Sequence, residues 1–343
     1  MGLAINNQTP FAVEPLALAD EELRPLVVVV VKATYLLEKD GLKLADTPVP
    51  VSLTGETWGE PGQSSYRYEP ETAFTKLATD VVLNGHAYAP ARNTTELEVE
   101  VRVGPLRKVV RVVGDRVWVR SLGQVSMTRP LSFEKLPLVY ERAFGGRDRT
   151  ATAPANPQFE PHNPVGAGFR ASPRHYEEGL RLPNLEDPAR PLIQFGQRVP
   201  PVGFGFISPD WQPRAALAGT YDKAWESGRK PLLPRDFDRR YFNAASPGLV
   251  APGYLQGNEP VLLVNASPKE RLTFQLPGVR PRVCAALEGG PIEPVMSLDT
   301  VILEPDARRV LLLWRGTIPL EQGAHEVRGL KVWMGPGSGR TPP

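Results

Sequence analysis

The chain holds one cysteine, Cys284, so no disulfide can form within it. The phrase Arg282-Val-Cys-Ala-Ala-Leu287 predicts a small core residue there, and a single thiol suits a reduced, cytoplasmic setting. Histidine is also scarce. His86, His162, His175 and His325 form no pair at metal-ligand spacing, and no second cysteine is present for zinc. His162 and His175 stand near Glu160, Glu177 and Glu178, but read as polar loop residues. Asp236-Phe-Asp238 lacks the rest of a calcium loop. No metal or cofactor is expected. The apolar run Leu26–Val31 ends at Lys32, too short to span a bilayer. Asn6, Asn7 and Gln8 interrupt the start of the chain, which predicts no signal peptide. An excess of one charge is lacking too: 40 Lys plus Arg face 38 Asp plus Glu. Nothing global then attracts nucleic acid or an anionic membrane.

Catalytic signatures are sparse. No Gly-x-Ser-x-Gly elbow occurs. Phe144-Gly-Gly-Arg147 and Gly203-Phe-Gly205 match neither a P-loop nor a dinucleotide fingerprint. A glycosidase needs only two facing carboxylates, and Glu177, Glu178, Asp222, Asp236 and Asp238 would be the donors. The reading is therefore non-enzymatic, with a carbohydrate-active or other hydrolytic β-sandwich enzyme as the alternative.

Proline (38) and glycine (31) are plentiful, about a fifth of 343 residues. Both disfavour helix interiors, which predicts a β- and loop-rich protein. They concentrate in residues 141–258, where aromatics recur beside them. Disordered segments are poor in aromatics, so this stretch reads as an ordered, loop-built surface. Its phrases include Glu141-Arg-Ala-Phe-Gly-Gly146, Asn163-Pro-Val-Gly-Ala-Gly-Phe169, Trp211-Gln-Pro-Arg214 and Gly219-Thr-Tyr-Asp-Lys-Ala-Trp225.

These phrases, with Lys32-Ala-Thr-Tyr35, Asp80-Val-Val-Leu-Asn-Gly-His-Ala-Tyr-Ala-Pro90, Asp299-Thr-Val301 and Leu313-Trp-Arg315, resemble a bacterial family catalogued as domain of unknown function 2169. The resemblance spans nearly the whole chain. It implies an adaptor or chaperone that holds a type VI secretion effector and helps load it onto the secretion spike. The implied partners are the effector and a spike-associated protein.

The strand signals lie toward the two ends. Val27–Leu37, an Asp40-Gly41 turn and Leu42–Ala45 predict a hairpin. Thr79–Tyr88 predicts a strand bulged at Asn84-Gly85, or two short strands joined by a turn there. Leu97, Val99 and Val101 alternate with charged residues. A two- or four-residue connection at Gly104-Pro105 keeps them on the same face as Val110 and Val112 and brings Glu98 or Glu100 near Arg111. A second tight turn at Gly114-Asp115 would set Arg111 across from Trp118 on a basic face. Val261–Val264, Leu272–Leu276, Val283–Leu287, Pro294–Leu303 and Val310–Ile318 complete the strands. Tyr221–Arg229, capped by Thr220, and Phe237–Ala244 read as short helices.

The expected fold is mainly β: an antiparallel β-sandwich or distorted barrel over residues 1–334, one unit crossed by a long Gly/Pro/aromatic segment, with a flexible tail at 335–343. Trp, Tyr and Arg are the usual interface anchors. The candidate partner-binding residues are accordingly Trp211, Arg214, Tyr221, Trp225, Arg229 and Arg240, then Arg111 and Trp118. Asp222 and Asp236 are expected to pair with arginines and fix the loop.

Overall fold

The computed structural model describes residues 3–149 and 158–335; the expected tail lies outside them except for Gly335. Its organising element is the strand Pro25–Glu38. Val27–Val31 are β-branched and buried on both faces, the pattern of a strand covered on either side. It pairs antiparallel with Ala12–Ala19 on one edge and Arg309–Pro319 on the other. Ser297–Glu304 and then Asp80–Leu83 extend this sheet, and Gly41–Leu44 folds back on the end of the long strand. The predicted first hairpin is therefore present. The last pairing, Asp80–Leu83 with Ser297–Glu304, is parallel.

A five-stranded sheet stacks its inner face on the same core. Its order is Leu185–Glu186, Leu106–Val113, Glu96–Val103, Pro260–Val264, Arg271–Gln275. Val99 opposes Val110 and Leu97 opposes Val112. Val99, Val110 and Val112 are fully buried, as the alternation requires. A four-stranded sheet of Ala4–Asn7, Val327–Met334, Pro281–Leu287 and Gly290–Ile292 completes the larger layers. Inner residues of all three sheets join one apolar cluster. The arrangement is mainly β and sandwich-like, with no closed barrel among the described residues.

Two details differ from expectation. No hairpin forms at Gly114-Asp115. The outer edge of Leu106–Val113 is taken by Leu185–Glu186, with Arg111 opposite Glu186. The next segment turns away, and Trp118–Ser121 pairs with Gln124–Met127. Trp118 sinks into a second apolar cluster with Phe144, Phe169, Leu182 and Leu192. Cys284 is half-buried, not a core residue. Alternation along Pro281–Leu287 buries Val283 and Ala285 and turns Cys284 to the outer face. At Asn84-Gly85 the second alternative holds, two short strands, but they enter different sheets: Asp80–Leu83 stays in the large sheet, while His86–Tyr88 pairs with Lys135–Pro137. Among the described residues, no helix is long and apolar enough to cross a membrane.

Candidate docking surface

The irregular middle is held by side chains where the sheets are held by backbone ladders. Asn163 is fully buried and its amide donates to Tyr140 O (2.8 Å) and Phe144 O (3.0 Å). A methyl group on Gly145 would sit 2.1 Å from Asn163 O, so the Phe144-Gly-Gly146 phrase closes over Asn163 only with glycine. Glu141 accepts from the Ser65 amide (2.7 Å) and hydroxyl (2.8 Å), tying this segment to residues far upstream.

A buried ionic layer fixes the middle to the large sheet. Lys32 donates to Glu71 (2.7 Å) and Pro50 O (3.0 Å). Arg315 bonds Asp299 (2.5 Å) and Ala73 O (2.6 Å). Lys76 reaches Asp80 (2.7 Å) and Thr300 (3.0 Å). Asp80 also accepts from the Ala244 amide (2.9 Å), joining sheet to loop. Burial alone would depress the Lys76 ammonium, but Asp80, Asp299 and Glu69 outweigh it and hold it above its ordinary value. Burial raises the Glu69 carboxyl against the pull of Arg214 and Lys76, and raises Glu71 against Lys32. Lys32, Asp80, Asp299 and Arg315, scattered through the sequence, thus line one seam.

Arg214 belongs to that seam. It is buried, pairs with Glu69, and donates to Ile207 O (2.8 Å) and Tyr241 O (2.6 Å). Trp211 is buried edge-on to Tyr140, with ring centres 5.6 Å apart. Both are buried and hold the base of the loop. Trp118 is likewise buried, edge-on to Phe195. Arg111 pairs with Glu96 and lies 3.5 Å from Glu186. The basic face joining Arg111 to Trp118 does not exist, because the two residues lie on differently paired strands.

Beyond Arg214 the chain makes a stapled outcrop, residues 219–236. Thr220 closes its base through its amide (3.0 Å) and hydroxyl (2.7 Å) to Asp236. Gly219 is in the left-handed region at φ 85°, and a methyl group there would lie 2.7 Å from Pro234 Cβ. The helix Lys223–Gly228 is capped by Asp222, which accepts from the Trp225 amide at 2.8 Å. The cap is Asp222, not Thr220, and neither Asp222 nor Asp236 forms an ion pair with an arginine among the described residues. Phe237–Ala244 contains only the 3-10 turn Arg239–Phe242.

Trp225 is half-buried, donates its indole N–H to Leu232 O (2.9 Å) and carries Tyr221 on its ring at 4.7 Å. Arg229 forks onto Glu22 (3.0 and 2.6 Å) and donates to Leu233 O (2.8 Å). Its guanidinium holds the Glu22 carboxyl below the usual range. Arg239 pairs with Glu21. The outcrop is thereby pinned to the turn that precedes Pro25–Glu38. Arg240 is exposed and folds back on Asp238 (2.8 Å through Nε).

What remains accessible is Tyr221, 53% exposed, and a cleft of about 600 Å³ lined by Trp225, Ala224, Pro234, Arg229 and Arg235. Lys223, Lys230 and Arg235 have no carboxylate partner among the described residues. Of the predicted anchors, the structure brings Tyr221, Trp225 and Arg229 together here and leaves Arg240 at the edge. Lys223 and Lys230 add exposed charge to the outcrop; their only signal in the sequence was charge on a short helix and the turn after it.

The carboxylates considered for hydrolysis are divided. Glu177 pairs with Arg170 and Glu178 accepts from Tyr176 and the Arg120 amide, whereas Asp222, Asp236 and Asp238 serve the outcrop. His162 contacts Glu160 and His175 contacts Asp148. Among the described residues, no three His, Cys, Asp or Glu side chains gather to hold a metal.

Residues 22–315 match the model of a family described as an uncharacterised protein conserved in bacteria, DUF2169. The chain belongs to this family. The match covers the ionic seam, the Gly-rich middle and the outcrop. No curated protein and no solved structure matches the chain.

Proposed function

We propose that this protein is a non-catalytic adaptor that captures a protein partner on the outcrop at residues 219–236. The carrying observation is the pairing of accessible aromatics with a fixed backbone. Tyr221 and the Trp225 cleft sit on a loop stapled by Thr220–Asp236 and Arg229–Glu22. Aromatics already held in place lose little entropy on binding, so they make efficient anchors. Arg235 lines the cleft, and the exposed Lys223 and Lys230 belong to the same outcrop; these cations would select an acidic margin on the partner.

The likeness in sequence to proteins found with type VI secretion genes suggests the partner: an effector held in the bacterial cytoplasm for loading onto the spike. Such an adaptor stabilises the bound form of its cargo by mass action. The test is purification of the tagged protein from its native host beside a Tyr221→Ser, Lys223→Glu, Arg235→Glu variant. The wild type should retain a secretion effector or spike component that the variant loses. Equal recovery by both proteins, or recovery of neither class of partner, contradicts the proposal.

A further inference from the structure

The opposite end of the long strand carries a different kind of surface. Three turns converge there: Glu38–Gly41, Pro305–Arg308, and the loop before Arg271–Gln275. They enclose a cleft of about 400 Å³. Leu37, Leu272, Tyr88 and Pro305 form its apolar lining, and Lys39, Lys269 and Arg308 stand at its margin. Pockets of this size with an apolar body and a few convergent polar groups are the usual form of small-molecule sites.

The charges are not balanced within the cleft. Asp306 is engaged by His86 (2.5 Å), the Tyr88 hydroxyl (2.5 Å) and Lys135 (3.7 Å). Glu38 lies 3.7 Å from Lys43. Lys39 and Lys269 have no carboxylate partner among the described residues, and Arg308 spends one N–H on Leu37 O (3.1 Å). Both acids therefore face cations, while two ammonium groups and most of a guanidinium remain free beside apolar surface. A neutral apolar ligand would leave those cations unused, and a cationic one would be repelled.

We propose that this cleft binds a small monocarboxylate with an apolar body, its chain against Leu37 and Leu272 and its carboxylate between Lys39 and Lys269. The site is separate from the outcrop, about 45 Å away along a 14-residue strand, so it stands or falls independently of the adaptor reading. Octanoate is the probe, titrated calorimetrically at low salt beside octanol and octylammonium. Octanoate should bind saturably, at least tenfold tighter than either analogue, and weaken as salt rises. Lys39 and Lys269 are exposed, so a Lys39→Glu, Lys269→Glu variant should keep its melting temperature and lose at least tenfold in octanoate affinity. Absence of saturable binding, octanol binding as tightly, or an unaffected charge-reversed variant would each overturn the site. A leucine-terminated peptide with a free carboxylate binding tenfold tighter than octanoate would overturn the small-molecule assignment.

Discussion

The sheets and the loop-built middle solve the same burial problem by different means. In Leu106–Val113, neighbouring strands satisfy the backbone and valines fill the core. In residues 141–258, side chains do much of that work: Asn163 caps two carbonyls, Arg214 caps two more, and Thr220 is held by Asp236. A ladder tolerates loss of one side chain better than a seam in which one residue holds several partners. The middle should therefore be sensitive at polar residues, and the sheets at apolar ones.

The largest effect tests the sheet side. Val110 is fully buried between Val99 and the core. Val110→Asp buries an unpaired charge and should cost on the order of 5 kcal/mol, much of an ordinary domain's stability. Chemical denaturation should show little or no folded protein. Next comes the middle. Arg214→Ala leaves Glu69 buried without its partner and strips two carbonyls. Breaking such a pair costs about 3–5 kcal/mol. A loss under about 1 kcal/mol would erase the distinction between the two regions.

A smaller, pH-dependent effect concerns Lys108, where sheet meets loop. Its ammonium donates to Ser246 and to Pro247 O (2.7 Å), and burial pushes its pKa down to about 7. The unfolded chain keeps the ordinary, higher value, so it binds the proton more tightly between pH 7 and about 10.5. Native stability from this group therefore rises with pH across that window and is lowest at or below pH 7. Melting curves of wild type and Lys108→Met should converge, or shift toward favouring wild type, as pH rises from 7 to 10. A constant difference would contradict a depressed ammonium.

The smallest effect is Arg111→Ser, on the solvent side of the same strand as Val110. Arg116 still pairs with Glu186, and exposed pairs such as Arg111–Glu96 contribute about 1 kcal/mol or less. The melting temperature should fall by only a few degrees. If Arg111→Ser proved worse than Val110→Asp, the register of Glu96–Val103 against Leu106–Val113 would be wrong.

The sheets were legible because period-two patterns name a face. Leu97, Val99, Val110 and Val112 alternate, and only an even-length turn at Gly104-Pro105 keeps them on one face; the structure uses the two-residue one. Trp118 was misread because sequence could not show that Leu185–Glu186, far along the chain, would take the strand edge it needed. Cys284 was misread because a small apolar setting says little about which face of a strand is inward. In the outcrop, aromatic density marked an ordered segment, but Trp, Tyr and Arg read alike whether they anchor a loop or a partner. Trp211 and Arg214 proved to be the former, and only burial and hydrogen bonding separate the two roles. Arg229 falls between: it lines the cleft but is tied to Glu22, so its removal would loosen the outcrop and blur a binding test.

The central claim is that the outcrop's exposed side chains bind a protein while its buried ones only hold it in shape. The most direct measurement is the affinity of the cognate effector for wild type and for Tyr221→Ser, Lys223→Glu, Arg235→Glu, with melting temperatures recorded beside it. All three residues are accessible, so the variant should melt within a few degrees of wild type. It should bind at least about tenfold more weakly, or roughly 1.4 kcal/mol. Unchanged affinity in a normally folded variant would contradict the account and move docking away from residues 219–236.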